Sequence, residues 1–193
     1  MGKAIVTRNA LLDAARRVIG KKGYSGTSVD SIAREAGVSK GMVYYHFRTK
    51  ADIATSVLLE GLQALEKSFQ EQIEASANAR EALHAMLHTF TSMIFQNPDY
   101  SRFVLNELWR DERDWSDMMH AQGEAVLDII EGQLKRAVEE GAARADMDTR
   151  FHAVGILGTV LVSAQYYLVE GSEQQIEAFE AHVSDYISHA IAA

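Results

Sequence analysis

Apolar residues recur at intervals of three and four along almost the whole chain, and runs of β-branched residues are scarce. That period belongs to amphipathic helices and argues for an all-α protein. It predicts about nine helices, over residues 7–22, 28–36, 40–46, 50–75, 79–96, 99–109, 116–140, 149–170 and 173–191. Cap signals support the starts: Thr27-x-x-Asp30, Thr49-x-x-Asp52, Asn78-x-x-Glu81 and Ser172-x-x-Gln175 have capping-box form or nearly so. Asn97 before Pro98, the chain's single proline, reads as an N-cap followed by proline at the first helical position. Gly23, Gly37, Gly141 and Gly171 mark stops, each a candidate left-handed cap. No internal repeat or low-complexity linker is visible, so the fourth helix joins a short-helix head (residues 1–50) to a long-helix body (51–193).

The three head helices are each apolar on one face: Leu11, Ala14, Ala15, Val18 and Ile19; then Val29, Ile32, Ala33 and Ala36; then Val43, Tyr44 and Phe47. Three such faces can share one small core. Between the second and third lies Ala36-Gly37-Val38-Ser39, in which glycine suits a tight turn, valine the core, and serine the next cap. Helix, glycine turn, helix is the helix-turn-helix layout, whose second helix enters the DNA major groove. In that helix Gly41 leaves room for close approach, and Lys40 can reach a base edge or a phosphate. Tyr45, His46 and Lys50 offer donors at its far end, where phosphate contacts set register.

Charge points the same way. Residues 1–50 hold ten Lys/Arg and three acids, a net +7. The remaining 143 residues hold nine basic and 24 acidic residues, a net −15. A basic head on an acidic body suits a head that alone meets a polyanion.

The run from Thr27 to Lys50, preceded by Gly23-Tyr24, resembles the DNA-binding head of the TetR family of transcriptional regulators. The alanine-glycine-valine turn, the glycine two residues past the serine, the tyrosine-x-histidine-phenylalanine end and the following lysine all fall in register. The resemblance covers about residues 7–55 and implies a ligand-responsive repressor that binds a palindromic double-stranded operator as a dimer. It implies that Thr27 or Ser28 meets phosphate at the start of the second helix. Ser39, Lys40, Gly41, Met42 and Tyr45 would face the groove, and Tyr44, His46 and Lys50 would hold the backbone. Met42 stands where relatives often place a polar residue.

The body is read for a dimer and a pocket. The eighth helix is apolar nearly all round; Gly155, Gly158, Ser163 and Ala164 suit close approach of a partner, and Val162 is expected at the same interface. The ninth has a stripe of Ile176, Phe179, Val183, Tyr186 and Ile187. Two such helices per chain can form a four-helix bundle between subunits. Large soft side chains in the middle helices suggest an apolar ligand pocket lined by Phe90, Met93, Phe103, Trp109, Met119 and Tyr166, with His84, His88, Asn106, His120 and Gln165 as candidate polar anchors. The ligand expected is a small hydrophobic or aromatic effector of unknown identity.

Composition removes several alternatives. With no cysteine there is no disulfide, thiolate metal site or cysteine nucleophile. No signal peptide is visible, and residues 153–169 read as a buried soluble helix, so the expected location is cytoplasmic. No catalytic triad, phosphate loop or dinucleotide fingerprint is present; no enzyme activity, cofactor, metal or membrane partner is expected. Two rivals stand. One is a DNA-binding dimer without a small-molecule ligand. The other is a metal-binding helical-bundle enzyme built on Glu81-x-x-His84 with His88, which lacks a second Glu-x-x-His, and whose Glu81 has a capping role to fill.

Overall fold

The structure, a computed structural model, describes residues 2–107 and 114–192; the side chains of residues 2–7, 173, 176 and 177 are not part of that description. The described residues form nine α-helices: α1 Gly2–Lys22, α2 Val29–Ala36, α3 Lys40–His46, α4 Lys50–Ala75, α5 Ala79–Gln96, α6 Pro98–Glu107, α7 Ser116–Glu139, α8 Thr149–Glu170 and α9 Glu173–Ile191. The all-α expectation holds, and most boundaries fall within a residue of the predicted ones.

Local chemistry sets most of these ends. Asp52 accepts from the Thr49 amide at 2.9 Å while the Thr49 hydroxyl accepts from Asp52 N–H at 3.0 Å, a reciprocal capping box. Ser172 and Gln175 do the same for α9. Asn78 caps α5 through the Glu81 amide at 2.9 Å, and Glu81 reaches back to the Ala77 amide at 3.1 Å. Two expectations are corrected. The cap of α2 is Ser28 paired with Ser31, not Thr27 with Asp30. Thr27 is buried and donates its hydroxyl to the Gly23 carbonyl at 2.8 Å. Gly23, Gly37 and Gly141 have φ of 68°, 67° and 70°, but Gly171 ends α8 at φ −74°. Gly171 is needed for closeness instead, since a Cβ there would run into the Tyr167 carbonyl.

The chain divides into two compact units. Unit 1 comprises Met1–Leu62 and Asn97–Met119; unit 2 comprises Gln63–Gln96 and His120–Ala193. Unit 1 is therefore larger than the three head helices. Its core joins Leu11, Ile19, Ile32, Val43 and Phe47 with Ile53, Val57 and Leu58 of α4, Phe103 of α6, and Trp115 and Met119. Tyr24 meets the Trp115 ring edge-on at 4.7 Å. The start of α6 is keyed into two glycine notches. A Cβ on Gly20 would lie 2.9 Å from Asp99, and one on Gly61 would overlap the Tyr100 hydroxyl. That hydroxyl donates to the Val57 carbonyl at 3.1 Å, and burial pushes the phenol up to about 12.

Unit 2 has its own core, including Leu65, Phe69, Met86, Ile130, Leu134, Met147 and Ala153. Arg150 ties α8 to α7 through Asp128 at 2.7 Å, Glu131 at 3.2 Å and Glu124.

Candidate nucleic-acid interface and effector cavity

In the head, α2 ends on Gly37 in the left-handed conformation. The Gly37 and Val38 amides donate to the Arg34 and Ala33 carbonyls at 3.2 and 3.0 Å. This closes the carbonyl end of α2 and turns the chain within three residues. Val38 packs on the core, and the Ser39 hydroxyl caps α3 by accepting from the Met42 amide at 3.3 Å. Val43 is fully buried and Phe47 nearly so, which fixes the rotation of α3. The opposite face is left open: Lys40, Gly41, Met42, Tyr44 and Tyr45 are all exposed, Tyr45 by 78%. Nothing but the Ser39 hydroxyl, 3.9 Å away, stands before a Cβ at Gly41. A short helix thus offers a cation, a bare backbone step, a thioether and two phenols to solvent.

The ten residues expected to touch DNA divide by placement. Seven lie on or beside the open surface: Ser28, Ser39, Lys40, Gly41, Met42, Tyr44 and Tyr45; His46 is half-buried. Thr27 faces inward, as described above. The Lys50 ammonium donates to the Tyr24 and Thr27 carbonyls at 2.9 and 3.0 Å and lies 4.1 Å from the Tyr24 ring centre. It holds the start of α4 against the α1–α2 loop. Lys40 meets Asp30 at 2.9 Å, a hydrogen bond that raises the lysine's already high pKa. The carboxyl of Glu35 is held below its ordinary value by the Arg17 guanidinium 2.8 Å away. A groove that this pair lines also carries Lys21, Lys22 and Arg34, an excess of cations over the one acid there.

Unit 2 holds a cavity of about 60 Å³. Hydrocarbon side chains line most of it: Phe69 from α4, Leu83, Met86, Leu87 and Phe90 from α5, Ile130 from α7, Ile156, Leu157 and Val160 from α8, and Ile187 from α9. Arg80, His84 and Ser184 complete the wall, with His84 Nε2 and Ser184 Oγ 3.0 Å apart. Of the described residues expected to line a ligand pocket, Phe90 and His84 lie on this wall. Phe103 and Met119 belong to the core of unit 1. Met93 packs against the core of unit 2, while Asn106, Gln165 and Tyr166 are exposed. His88 meets Glu180 at 2.8 Å. Trp109 lies outside the described residues. An aromatic or methionine stripe reads alike for core and pocket, which is why the sequence does not separate them. The lining residues it misses on α5 carry one signal, the spacing of Arg80, Leu83 and Leu87 on the helix face that also holds His84.

The expected subunit interface also divides. On α8, Phe151, Val154, Val162, Tyr166 and Val169 are exposed large side chains. Nothing lies within 4 Å of a Cβ at Gly155 or Gly158. Together they form one stripe at helical spacing, and Tyr186 of α9 is exposed as well. Phe179 and Val183 are buried within unit 2, Phe179 against the rings of Phe95 and Tyr167 at 5.0 and 5.5 Å, and Ile187 lines the cavity. The Ile176 side chain lies outside the described residues. Among these helices α8 is the one long and apolar enough to cross a membrane by length and composition. It is anchored in unit 2 through Ala153, Val160, Ala164 and Leu168.

Residues 11–57 match the model for bacterial regulatory proteins of the tetR family. The HTH-type transcriptional regulator TtgW of Pseudomonas putida, an uncharacterized protein, is 31% identical over 111 residues, covering 53% of this chain and 83% of that protein. The chain belongs to the TetR family. It is a DNA-binding transcriptional regulator and not an enzyme. The fatty acid metabolism regulator protein of Bacillus subtilis (strain 168) is 27% identical over 150 residues, 78% of this chain and 77% of its own length. Among solved structures, the transcriptional regulator FadR from Bacillus subtilis in complex with stearoyl-CoA superposes with a TM-score of 0.85 at 24% identity. That superposition covers 94% of this chain and 98% of FadR. The family model thus covers the helix-turn-helix region, and the superposition shows a solved counterpart for the fold of most of the chain. In the metal-enzyme alternative Glu81 would be a ligand, but in this TetR-family chain its carboxylate is engaged at the α5 cap.

Proposed function

We propose that this regulator is a repressor that acts as a homodimer. Two α3 helices read a palindromic operator, and an apolar ligand held in unit 2 releases it. The observation that carries the reading is the course of α4. One unbroken helix packs Ile53, Val57 and Leu58 into the core of unit 1 and places Phe69 on the wall of the cavity in unit 2. A ligand that presses on Phe69 acts on the helix that begins at the head. It shifts the equilibrium only by its differential affinity for two arrangements of that helix, about 1–3 kcal/mol in typical cases.

The functional division is a head of residues 1–50 and a body of 51–193. In the head, Ser39, Lys40, Gly41, Met42 and Tyr45 face the groove, and Ser28, Tyr44 and His46 meet phosphate. Dimerisation uses the open stripe of α8, with Gly155, Gly158 and Val162, joined by Tyr186. A hydrocarbon-lined cavity and a counterpart fold solved with stearoyl-CoA support an acyl-type ligand. The protein works in the cytoplasm, where its operator lies.

Selection of bound DNA from a random pool by the purified protein tests this. A palindrome should emerge, with affinity falling steeply as salt rises. Lys40→Ala should relax base preference at one step of each half-site by about 1–3 kcal/mol. Recovery of no preferred duplex would defeat the proposal.

One observation favours a second reading, in which the body only dimerises. The cavity of about 60 Å³ is smaller than the roughly 150 Å³ of an engineered cavity that takes up benzene. A long chain therefore enters only if the walls move apart. Operator release by octanoyl-CoA or a longer homologue separates the two readings.

A further inference from the structure

Unit 2 contains six lysines and arginines against sixteen acidic residues, a net charge of −10. Five of the six cations have an acid beside them. Lys67 meets Glu71 at 3.6 Å, Lys135 meets Glu131 at 2.6 Å, Arg136 meets Glu140 at 2.7 Å and Arg144 meets Asp146 at 3.6 Å. Arg150 has three carboxylates. Among the described residues Arg80 is the exception, with no acid partner in a unit where acids are in large excess. The acids at that end of α5 are otherwise engaged. Glu81 spans the Ala77 amide and the Asn78 side chain, and Glu140 accepts from the Ala79 amide while holding Arg136.

The place of this arginine matters as much as its isolation. Arg80 lies on the wall of the apolar cavity and also of a second hollow of about 50 Å³, which Leu83 shares. Beside it on the same helix face, His84 meets Ser184. The start of α5 therefore brings hydrogen-bonding groups and a permanent positive charge to the wall, while Phe90, ten residues further along α5, belongs to its hydrocarbon part. Ten residues of helix span about 15 Å. The net negative charge of the unit would draw cations; Arg80 is itself exposed, so its charge too is screened within about 8–10 Å and acts on a group that it touches.

We infer that Arg80 reads the head group of the effector, and that the effector is an apolar chain ending in an anionic oxygen group, a carboxylate or a phosphate. The inference rests on the effector reading given above and adds the chemistry of the head. A neutral chain would fill the hydrocarbon end and leave the guanidinium to water. An anionic one would in addition supply the acceptor that unit 2 itself withholds, in the fork geometry suited to carboxylate and phosphate. Two sources share this chemistry: a free fatty acid, with its charge at the chain end, and an acyl-CoA, with its charges on phosphates beyond the thioester.

Displacement of a bound fluorescent apolar dye from the full-length protein by octanoate, octanoyl-CoA and 1-octanol tests the inference. The wild type is compared with Arg80→Gln and Arg80→Lys, after thermal melts confirm that each is folded. At least one anionic probe should bind the wild type about tenfold or more tightly than octanol. Arg80→Gln should abolish that preference without altering octanol affinity, and Arg80→Lys should retain most of it. Preference for octanoate assigns the free acid; preference for octanoyl-CoA alone assigns the phosphates of the coenzyme A portion. If octanol binds as tightly as both anions, or Arg80→Gln keeps the preference, the head-group assignment is wrong while the cavity remains an effector site. Leu157→Trp, which fills the cavity, should block all three probes. If wild type binds none of them, or Leu157→Trp binds them unchanged, the effector reading itself is lost.

Discussion

Gly61 shows how one missing methyl group sets a local balance of forces. Replacing glycine by alanine inside a helix ordinarily stabilises it by about 0.8–1.0 kcal/mol. Here the new Cβ would overlap the Tyr100 hydroxyl, so the sign reverses. Gly61→Ala should lose about 1–3 kcal/mol in urea denaturation, the usual penalty for overpacking. Tyr100 adds a pH signature. Its phenol titrates near pH 10 in the unfolded chain and near 12 in the fold, so the fold favours the neutral form. Its contribution is complete below pH 10 and is lost as pH rises from 10 through about 12. Tyr100→Phe should flatten that part of a stability-against-pH curve. The sequence reads Lys50 as a phosphate contact; in the fold its ammonium donates to two loop carbonyls. The sequence could not show this, because Tyr24 and Thr27 lie more than twenty residues away and their carbonyls are generic backbone.

Helix ends are where local sequence and structure agree best. The caps at Ser39, Thr49, Asn78 and Ser172 and the left-handed turn at Gly37 arise between residues three or four apart, so spacing alone exposes them. Thr27 is the instructive failure. Both Thr27-x-x-Asp30 and Ser28-x-x-Ser31 can cap α2, and burial of the threonine methyl and hydroxyl under the α1–α2 loop decided between them. Because α3 has seven residues, it depends heavily on its cap. Ser39→Ala should cost about 0.5–2 kcal/mol and weaken operator binding in gel-shift titrations. The α8 stripe is the other consequence at this level: five large apolar side chains exposed along one helix exceed what an isolated soluble chain usually shows.

In the assembled protein that stripe should meet a second copy. Val162→Glu places a charge at its centre without touching the core of unit 2. It should leave the melting temperature of the monomer nearly unchanged, convert the protein to monomer in analytical ultracentrifugation, and abolish tight binding to a two-half-site operator. A monomeric wild type would remove the basis of this expectation. The middle of the chain supplies the largest difference from the sequence reading. Phe103 and Met119, expected around a ligand, complete the core of unit 1, so α6 and the start of α7 cluster with α1, α2 and α3.

Periodicity, caps and the charge swing were enough to establish an all-α chain with a helix-turn-helix head, because each depends on neighbours within about one turn or on summed charge. Allocation of the remaining large apolar residues among core, cavity and open surface depended on how distant helices pack. Leucine, phenylalanine and methionine are driven from water equally in all three settings. The isolation of Arg80 is of the same kind, visible only once every other cation of its unit has found its carboxylate.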